Sequence, residues 1–464
     1  MNVAEKRNKM DITVNAQKPV RRWKHIERFQ NTTLRYTPAG DFPEVMEKTL
    51  GRPEIVRLFI TLDEVWDNRS DEYDWNYRIG VNKFANDPNH DHYDWPLTEP
   101  SPFGTHVEEY LTSHATHADQ VLLNIRRYEQ EVVKGQISLE KYGQVFRKVV
   151  EHFKELCPNI VWIEVCNEVE GSNFGRLNMD QYYSLYKEAA KAVRELNKEH
   201  DYLTPLKVGG FGQESGVTHY HFWRRWLELL AADPDRIIDY YSFHDYHMNP
   251  GRLLEFYVRH KADIKELNLP DLPMLVTEYG MRTGPGDAGR PHNLQNAGGE
   301  IPGLILSSYC DDMYVFPWCS FHNPSQQLGR TMFIQKPDGS YIPTPSGHTM
   351  TMFSRLGGQE LWIDEYTFNH AVATSDEKGK ICVLMTNTNP ALETMDLHVI
   401  GLSEGTYLIR QFLVDSFHNN CLTDPSCISL QPTKEFKAAG NRLDDQVDLE
   451  EYAFCLYEIV PCLE

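Results

Sequence analysis

The sequence predicts an α/β protein with a (β/α)8 TIM barrel and an accessory all-β sandwich domain, and three observations carry this prediction. From about residue 29 to 357, short apolar runs alternate with amphipathic helical segments, as in parallel strands joined by helical crossovers. Eight strands can be placed there if one lies near residues 29–37, and this number favours a closed barrel over an open sheet. After Gly357 and Gly358 the helical pattern stops, and short strand-like runs separated by turn residues indicate a sandwich.

Each predicted barrel strand is a short apolar run of the kind that parallel sheets bury on both faces. Beyond the first, these runs lie at 55–60, 121–125, 160–165, 206–210, 239–243, 274–277 and 313–320. Apolar residues at helical spacing predict helices at about 142–153, 182–193, 222–230, 253–267, 301–310 and 349–356. No GxGxxG motif follows the first strand, so the pattern does not indicate a dinucleotide site.

The same patterns set the domain boundaries. We predict a catalytic barrel over residues 29–357 and an accessory β-sandwich over residues 358–464, which a strand from residues 1–28 could join. The stretch 61–118, rich in Asp, His, Trp and Pro, is too long and irregular for an ordinary connection. We expect it to form a substrate-facing loop above the barrel.

Composition excludes several classes of function. The 464 residues carry 46 basic and 67 acidic side chains, a net charge of −21, which disfavours nucleic-acid binding because that needs a cationic surface. No apolar run approaches the roughly 18 residues of a membrane span, so no membrane partner is predicted. The N-terminal segment is charged and lacks the apolar core of a secretory signal, which predicts a cytoplasmic protein.

The nine cysteines indicate the same compartment. None forms a CxxC pair, most lie in apolar or strand-like runs, and their number is odd. We therefore interpret them as reduced core residues of a cytosolic protein. Cys421 and Cys427 are close enough in sequence to form a disulfide, and this alternative stays open.

Two glutamates stand at the ends of predicted barrel strands. Glu168 follows the strand at 160–165, directly after Asn167, and Glu278 follows the strand at 274–277. Strand C-termini of a parallel barrel open onto the active-site face, so both carboxyl groups are expected there. Cleavage of a glycosidic bond needs one carboxyl group to protonate the leaving oxygen and a second to meet the oxocarbenium-like carbon. A single strand-end glutamate more often begins a solvated loop, but two in such strands favour a catalytic pair.

Around these glutamates the sequence resembles a known enzyme family. The runs WIEVCNEVE at 162–170, LKVGGFG at 206–212, DYYSFHDY at 239–246 and PMLVTEYG at 273–280 resemble strands of clan A glycoside hydrolases. The similarity is greatest to glycoside hydrolase family 39, the family of β-xylosidases and α-L-iduronidases. Segment 343–358 resembles the family's last barrel helix and 415–420 a turn in its β domain, so the resemblance runs from about residue 55 to 420.

The resemblance implies a retaining glycosidase with Glu168 as general acid/base and Glu278 as nucleophile. It favours a β-xyloside or related pentoside as substrate, cleaved by double displacement through a covalent glycosyl-enzyme intermediate. Exo-action on a small glycoside or oligosaccharide is expected from the cytosolic location, because long polymers do not enter cells. The partner is then a carbohydrate substrate, no cofactor or metal is expected, and a homo-oligomer stays open. A retaining mechanism further predicts carboxyl groups about 5–5.5 Å apart, whereas a separation near 9 Å would indicate inversion.

Five positions depart from the family pattern. The family usually has histidine, glycine, tryptophan, proline and tryptophan, respectively, at the positions of Phe59, Ile60, Cys166, Val169 and Tyr279. The missing histidine lies where a sugar would be held in subsite −1. The inherited sugar specificity is therefore open, whereas both glutamates are retained.

Five further side chains are expected to line the site: Asn167, His244, Tyr246, Arg57 and Trp318. An amide donor at Asn167 would bind the sugar 2-OH. The phenol of Tyr246 and the guanidinium of Arg57 would favour the ionised nucleophile, and His244 would contact the acid/base or the substrate. Trp318 would stack on the apolar face of the sugar. For His244, Tyr246 and Trp318, a role in packing alone is the alternative.

Two other functions stay open. One is a metal-dependent hydrolase, because NHDH at 89–92 and HDYH at 244–247 carry metal-ligating side chains, although neither has a recognised ligand spacing. The other is a non-catalytic sugar-binding barrel that has lost turnover. The two retained glutamates argue against it.

Overall fold

The computed structural model describes residues 8–81, 101–171, 175–214, 219–247, 249, 251–282, 292–322, 328–364 and 370–462. After strand β1 (Asn8–Arg22), eight strands form one parallel sheet. They are β2 (Phe29–Asn31), β3 (Ile55–Thr61), β4 (Gln120–Arg126), β5 (Ile160–Val165), β6 (Lys207–Gln213), β7 (Tyr240–His247), β8 (Met274–Met281) and β9 (Met313–Pro317). The sheet keeps chain order, and the Ser320 N–H donates to the Asn31 carbonyl at 2.9 Å, which joins its two ends. The predicted (β/α)8 barrel is confirmed.

Helices connect these strands on the outside of the barrel. They are α1 (Phe42–Leu50), α2 (Leu62–Val65), α3 (Val107–Thr116), α4 (Glu129–Val133), α5 (Leu139–Leu156), α6 (Met179–Glu199), α7 (Tyr220–Ala232), α8 (Gly251–Glu266), α9 (Asn293–Ser307) and α10 (Pro345–Arg355). Helix α6 begins at a capping box between Asn178 and Gln181 and buries Tyr182, Tyr186 and Val193 along one face. The apolar faces of the helices thus cover the outer surface of the sheet.

The stretch 61–118 is more regular than expected. It contains α2 and, before β4, helix α3, whose residues Val107, Tyr110 and Leu111 are buried at helical spacing. The expectation of one long loop was therefore wrong at this helix. Residues 82–100 of the stretch lie outside the described residues.

The remaining strands form a hairpin and a second sheet. The hairpin is β10 (Phe333–Gln335) with β11 (Tyr341–Pro343). The second sheet combines β1 with β12 (Gln359–Ile363), β13 (Ala371–Ser375), β14 (Ile381–Thr386), β15 (Glu393–Ile400), β16 (Thr406–Val414), β17 (Lys434–Ala439), β18 (Arg442–Leu449) and β19 (Phe454–Pro461). Its order is β17-β16-β19-β14-β13-β12-β1-β15-β18, so β1 lies between β12 and β15. Alternating residues share an apolar core separate from that of the barrel, as in the predicted all-β accessory domain.

The accessory sheet packs closely on α9, the helix that follows β8. A Cβ added to Gly298 in α9 would lie 1.9 Å from the Tyr452 carbonyl oxygen, so only glycine fits there. Thr386 Oγ1 donates to the Gly298 carbonyl at 3.1 Å, and Arg21 of β1 donates to Ser308 Oγ at 2.7 Å. The accessory domain therefore supports the barrel on the side of β8.

Two simpler expectations concern membranes and disulfides. In the described part of the chain, no helix combines the length and apolar character needed to cross a membrane. All nine cysteines are free thiols, Cys421 and Cys427 included. The alternative of a disulfide between these two is not realised in this structure.

Candidate active site

The inside of the barrel is built in layers. An apolar layer consists of Phe29, Ile55, Leu122, Trp162, Tyr240 and Leu275. Two residues further along each of these strands, and so on the same face, lie six polar residues: Asn31, Arg57, Asn124, Glu164, Ser242 and Thr277. All six are 0% exposed. Because buried polar groups need hydrogen-bond partners, these residues bond to one another and form a polar floor under the strand C-termini.

The turn after β5 directs Asn167 and Glu168 toward the mouth of the barrel. Cys166 and Glu168 have φ angles of 64° and 47°, left-handed conformations that are uncommon outside glycine. The Glu168 N–H donates to the Gly212 carbonyl at 3.0 Å, and Asn124 Nδ2 donates to the Cys166 carbonyl at 2.7 Å. Strain of this kind persists where surrounding contacts enforce it, and it is common at functional sites.

An irregularity in β8 brings two consecutive side chains into the barrel. The pairing of β8 with β7 and with β9 shifts register around residues 276–279. Such a bulge lets both Thr277 and Glu278 face inward. Thr277 Oγ1 donates to Glu164 Oε1 at 2.8 Å, and Glu278 Oε1 accepts from Arg57 Nη1 at 2.9 Å. The bulge in β8 therefore places the Glu278 carboxyl group at the mouth of the barrel, in contact with Arg57 of the polar floor.

His244 lies between the two glutamates. Its Nδ1 is 2.6 Å from Glu168 Oε1 and 3.7 Å from Glu278 Oε2. One ligand atom from each of the three residues lies within 4.8 Å of the other two. This spacing fits the roughly 5–5.5 Å of a retaining pair better than the roughly 6.5–9.5 Å of an inverting pair. Gly212 leaves room for the imidazole, because a Cβ there would lie 2.9 Å from His244 Nε2.

The two carboxyl groups lie in different electrostatic surroundings. Burial, with repulsion from Glu278, raises the pKa of Glu168 to about 7 despite the opposing effect of His244. Burial would likewise raise the pKa of Glu278, but the positive charges of His244 and Arg57 outweigh it. A hydrogen bond from Tyr246 adds to their effect, and the pKa of Glu278 lies below its ordinary value. One carboxyl group is thus suited to donate a proton and the other to stay ionised.

Arg57 connects the two strands that carry the glutamates. Its guanidinium is fully buried, with Nη1 on Glu278 Oε1 at 2.9 Å and Nη2 on Asn167 Oδ1 at 2.7 Å. The side-chain oxygen of Asn167 therefore already accepts a hydrogen bond from Arg57. Its Nδ2 has no acceptor among the described residues, so it can donate to a ligand at the mouth, as a bond to a sugar 2-OH requires.

Aromatic rings form one side of the mouth. Trp318 follows β9, is partly buried, and stands nearly perpendicular to Phe59, with ring centroids 6.4 Å apart. The Arg57 guanidinium lies 4.5 Å from the centroid of the Phe59 ring. Phe59 thus packs between Arg57 and Trp318, and it offers no hydrogen bond where a histidine would.

Three residues of the polar floor make contacts with the site that were not predicted: Asn124, Glu164 and Thr277. Glu164 accepts hydrogen bonds from Arg57 and from both of the others. Strand alternation could have identified Glu164. It lies two residues after Trp162 on β5, and Trp162 points into the barrel as part of the apolar layer. Thr277 lies two residues beyond Leu275 of the same layer and could have been identified in the same way, whereas the inward position of Glu278 depends on the bulge, which is invisible in the sequence.

Three side chains of the site are also possible metal ligands, which concerns the alternative of a metal-dependent hydrolase. Glu168, His244 and Glu278 place three ligand atoms within 4.8 Å of one another, and Zn²⁺ accepts nitrogen and carboxylate oxygen ligands. His244 is the member of the 244–247 run that contributes here, while residues 89–92 lie outside the described residues. A metal enzyme would therefore use the same groups as a glycosidase.

Comparisons with known proteins concern the sequence and the fold. No protein-family model matches the chain. A curated β-xylosidase from Geobacillus stearothermophilus is 24% identical over 277 residues, which cover 53% of this chain and 51% of the relative. The chain thus matches about half the length of that relative.

Two solved structures share the whole architecture. A monomeric β-xylosidase from Caulobacter crescentus CB15 superposes with a TM-score of 0.72 at 13% identity, covering 98% of this chain and 100% of the other. A GH39 enzyme from Xanthomonas axonopodis pv. citri gives 0.66 at 13% identity, covering 100% and 98%. The fold is that of glycoside hydrolase barrels with a β-sandwich domain. Within that class the resemblance to glycoside hydrolase family 39 is confirmed at the level of the fold, since the Xanthomonas enzyme is a GH39 enzyme.

Proposed function

We propose that this protein is a retaining glycoside hydrolase with Glu168 as general acid/base and Glu278 as nucleophile. The observation that carries the proposal is the paired carboxyl groups, whose oxygens approach within 4.8 Å while their pKa values are shifted in opposite directions. Paired carboxyl groups with separated pKa values are the requirement of double displacement at an anomeric carbon.

The first step forms a covalent glycosyl-enzyme intermediate. Ionised Glu278 attacks the anomeric carbon while protonated Glu168 gives its proton to the leaving oxygen, whose bond to that carbon breaks. His244 holds Oε1 of Glu168, so Oε2 is the oxygen left for proton transfer. In the second step Glu168, now a carboxylate, takes a proton from water, and the water oxygen displaces Glu278 with overall retention.

The proposed substrate is a small glycoside or oligosaccharide attacked from its end, with a β-xyloside or related pentoside favoured. Two of the similar proteins are named β-xylosidases, which supports this choice. Trp318 is the proposed stacking surface for the sugar and Asn167 the donor to its 2-OH. Phe59 offers an apolar surface at the mouth, which suits a sugar with few exocyclic hydroxyl groups.

A panel of nitrophenyl glycosides tests the proposal. We expect hydrolysis of a pentoside, with a first-formed sugar of the same anomeric configuration as the substrate by NMR. An inverted first product would contradict the retaining mechanism, and no hydrolysis across a broad panel, with sugar binding intact, would favour the non-catalytic barrel. Activity that survives exhaustive EDTA treatment would eliminate the metal-dependent alternative, and activity that EDTA abolishes and Zn²⁺ restores would favour it.

Tyr246 provides a direct test of the electrostatics. Its hydroxyl donates to Glu278 Oε2 at 2.6 Å. Tyr246→Phe should lower kcat/KM by roughly 10–100-fold, because a hydrogen bond to a charged acceptor is lost. The ionised form of Glu278 becomes less favoured, so its pKa rises and the acid limb of the pH profile moves to higher pH. The hydroxyl of Tyr241 donates to the Pro270 carbonyl, away from Glu278, so Tyr241→Phe should leave the acid limb of the pH profile in place. An acid limb unmoved by Tyr246→Phe would contradict this role.

A further inference from the structure

A third carboxylate lies beneath the proposed catalytic pair. Glu164 on β5 is 0% exposed. Its Oε2 accepts from Arg57 Nε at 2.9 Å and from Asn124 Nδ2 at 2.8 Å, and it forms an ion pair with Arg57 Nη2 at 2.7 Å, while Oε1 accepts from Thr277 Oγ1 at 2.8 Å. A carboxylate this deeply buried stays charged only when it is paired and hydrogen-bonded. Burial would raise the pKa of Glu164, but the charge of Arg57 outweighs it and the pKa is lowered.

Glu164 and Glu278 share one guanidinium. Glu164 accepts a hydrogen bond from Nε of Arg57 and forms an ion pair with Nη2, and Glu278 and the Thr277 carbonyl accept from Nη1. Nη2 donates to Asn167 Oδ1. Four of the five N–H donors of the guanidinium are therefore hydrogen-bonded, to acceptors on different sides of the group, and these bonds fix its orientation.

Removing Glu164 would change both the charge and the orientation of this group. The guanidinium would keep Glu278 as its one carboxylate partner, and the nucleophile would feel a positive charge that Glu164 now offsets. Nε of Arg57 would also lose its hydrogen-bond acceptor. The guanidinium would then be less restrained, and the hydrogen bond from Nη2 to Asn167 Oδ1 would be weakened. Both effects act on atoms that the proposed reaction uses.

We propose that Glu164 is a positioning residue of the glycosidase site, which acts on Glu278 through Arg57. This inference rests on the proposed function. Glu164 holds the guanidinium so that it bonds the nucleophile and Asn167 at once, and it offsets enough of the guanidinium charge to keep the nucleophile reactive.

Other charged or titratable groups also face the nucleophile, and a pH test must allow for them. Besides Glu164, those that face Glu278 are Arg57 from β3, Glu168 after β5, His244 and Tyr246 from β7, and Cys319 after β9. Replacing Glu164 with glutamine leaves each of them in place. A shift in the acid limb of the pH profile of kcat/KM then measures the effect of removing the Glu164 charge.

Glu164→Gln is the decisive variant, because it keeps the size of the side chain and removes its charge. We expect kcat/KM for a nitrophenyl glycoside to fall about 10–100-fold, the range for a misplaced catalytic group. Loss of a nearby negative charge favours ionised Glu278, so the acid limb should move to lower pH by about 0.5 unit or more. This direction is opposite to that expected for Tyr246→Phe, and general loosening of the core would not produce it.

Glu300→Gln is the matched control, because Glu300 is a fully buried carboxyl whose contact is Asn296 on the same helix. It should leave the pH profile unchanged. An acid limb of folded Glu164→Gln that stays in place or moves upward would overturn the inference. If thermal unfolding measurements show that Glu164→Gln is not folded, Glu164→Asp is the second test. Its shorter side chain keeps the negative charge but moves it away from Arg57. A fall of about tenfold or more supports the inference, and wild-type kcat/KM overturns it.

The two proposals fail in different ways. Wild-type protein that hydrolyses no glycoside would overturn the proposed function and this inference with it. An active wild type whose acid limb is insensitive to Glu164→Gln would overturn this inference alone.

Discussion

Glu278→Ala is expected to lower kcat/KM for a nitrophenyl pentoside by at least about 10⁴-fold, because no group remains to form the covalent intermediate. The side chain has no substitute nearby. Glu168 is held by His244 at 2.6 Å, and Glu164 is covered by the guanidinium of Arg57. Neither can reach the face of the anomeric carbon that Glu278 is proposed to attack.

Azide provides the diagnostic measurement for this variant. The cavity left by the side chain admits a small anion, so azide should restore part of the activity and form a glycosyl azide of inverted configuration. Glu300→Gln serves again as the buried control, with wild-type rates and no response to azide. Turnover by Glu278→Ala at the wild-type rate would show that this residue is not the nucleophile.

Glu168→Ala is expected to show an effect that depends on the leaving group. For an alkyl glycoside, whose leaving oxygen must be protonated, kcat/KM should fall by roughly 10²–10⁴-fold, the usual contribution of general acid catalysis. For a dinitrophenyl glycoside the first step should be almost unaffected, and the intermediate should accumulate because water is no longer activated. Rapid-quench measurements would show this as a burst followed by slow turnover.

The pH profile gives a second signature of the same residue. Because burial and Glu278 raise the pKa of Glu168 to about 7, the wild-type kcat/KM should fall as pH rises through 7, where the acid loses its proton. In Glu168→Ala this basic limb should vanish for a dinitrophenyl glycoside, and azide should yield a product of retained configuration. Glu228→Ala is the control, because the Glu228 side chain on α7 is partly exposed and pairs with Arg224. A basic limb that survives Glu168→Ala would assign the acid to another group.

Much of this site could be predicted from residue type and strand position. The strand ends at Glu168 and Glu278 follow from apolar runs that parallel sheets bury, and such runs are readable without a structure. Arg57 was expected beside the nucleophile because of the resemblance, with a charge that favours the ionised form of Glu278. Its contact with Glu278 Oε1 at 2.9 Å agrees with that expectation.

The parts that could not be predicted depend on departures from regular geometry. Two residues in left-handed conformation around Asn167 and a register shift around residues 276–279 decide which side chains face inward. Neither leaves a pattern in the sequence, since Cys166, Glu168 and Glu278 are residue types that occur in ordinary strands and turns. Glu164 was missed for another reason, namely that a strand glutamate close to a stronger candidate draws no attention by itself.

The place of β1 in the accessory sheet has a consequence for how the chain is made. Val14 pairs with Ile363 on one side and with Val399 on the other, and the whole barrel lies between these partners in the sequence. During synthesis this strand emerges early, but neither neighbour exists until the barrel has been translated. Pairings so distant in sequence form slowly. The two domains should therefore mature together, with insertion of β1 as a late step that fastens the accessory sheet.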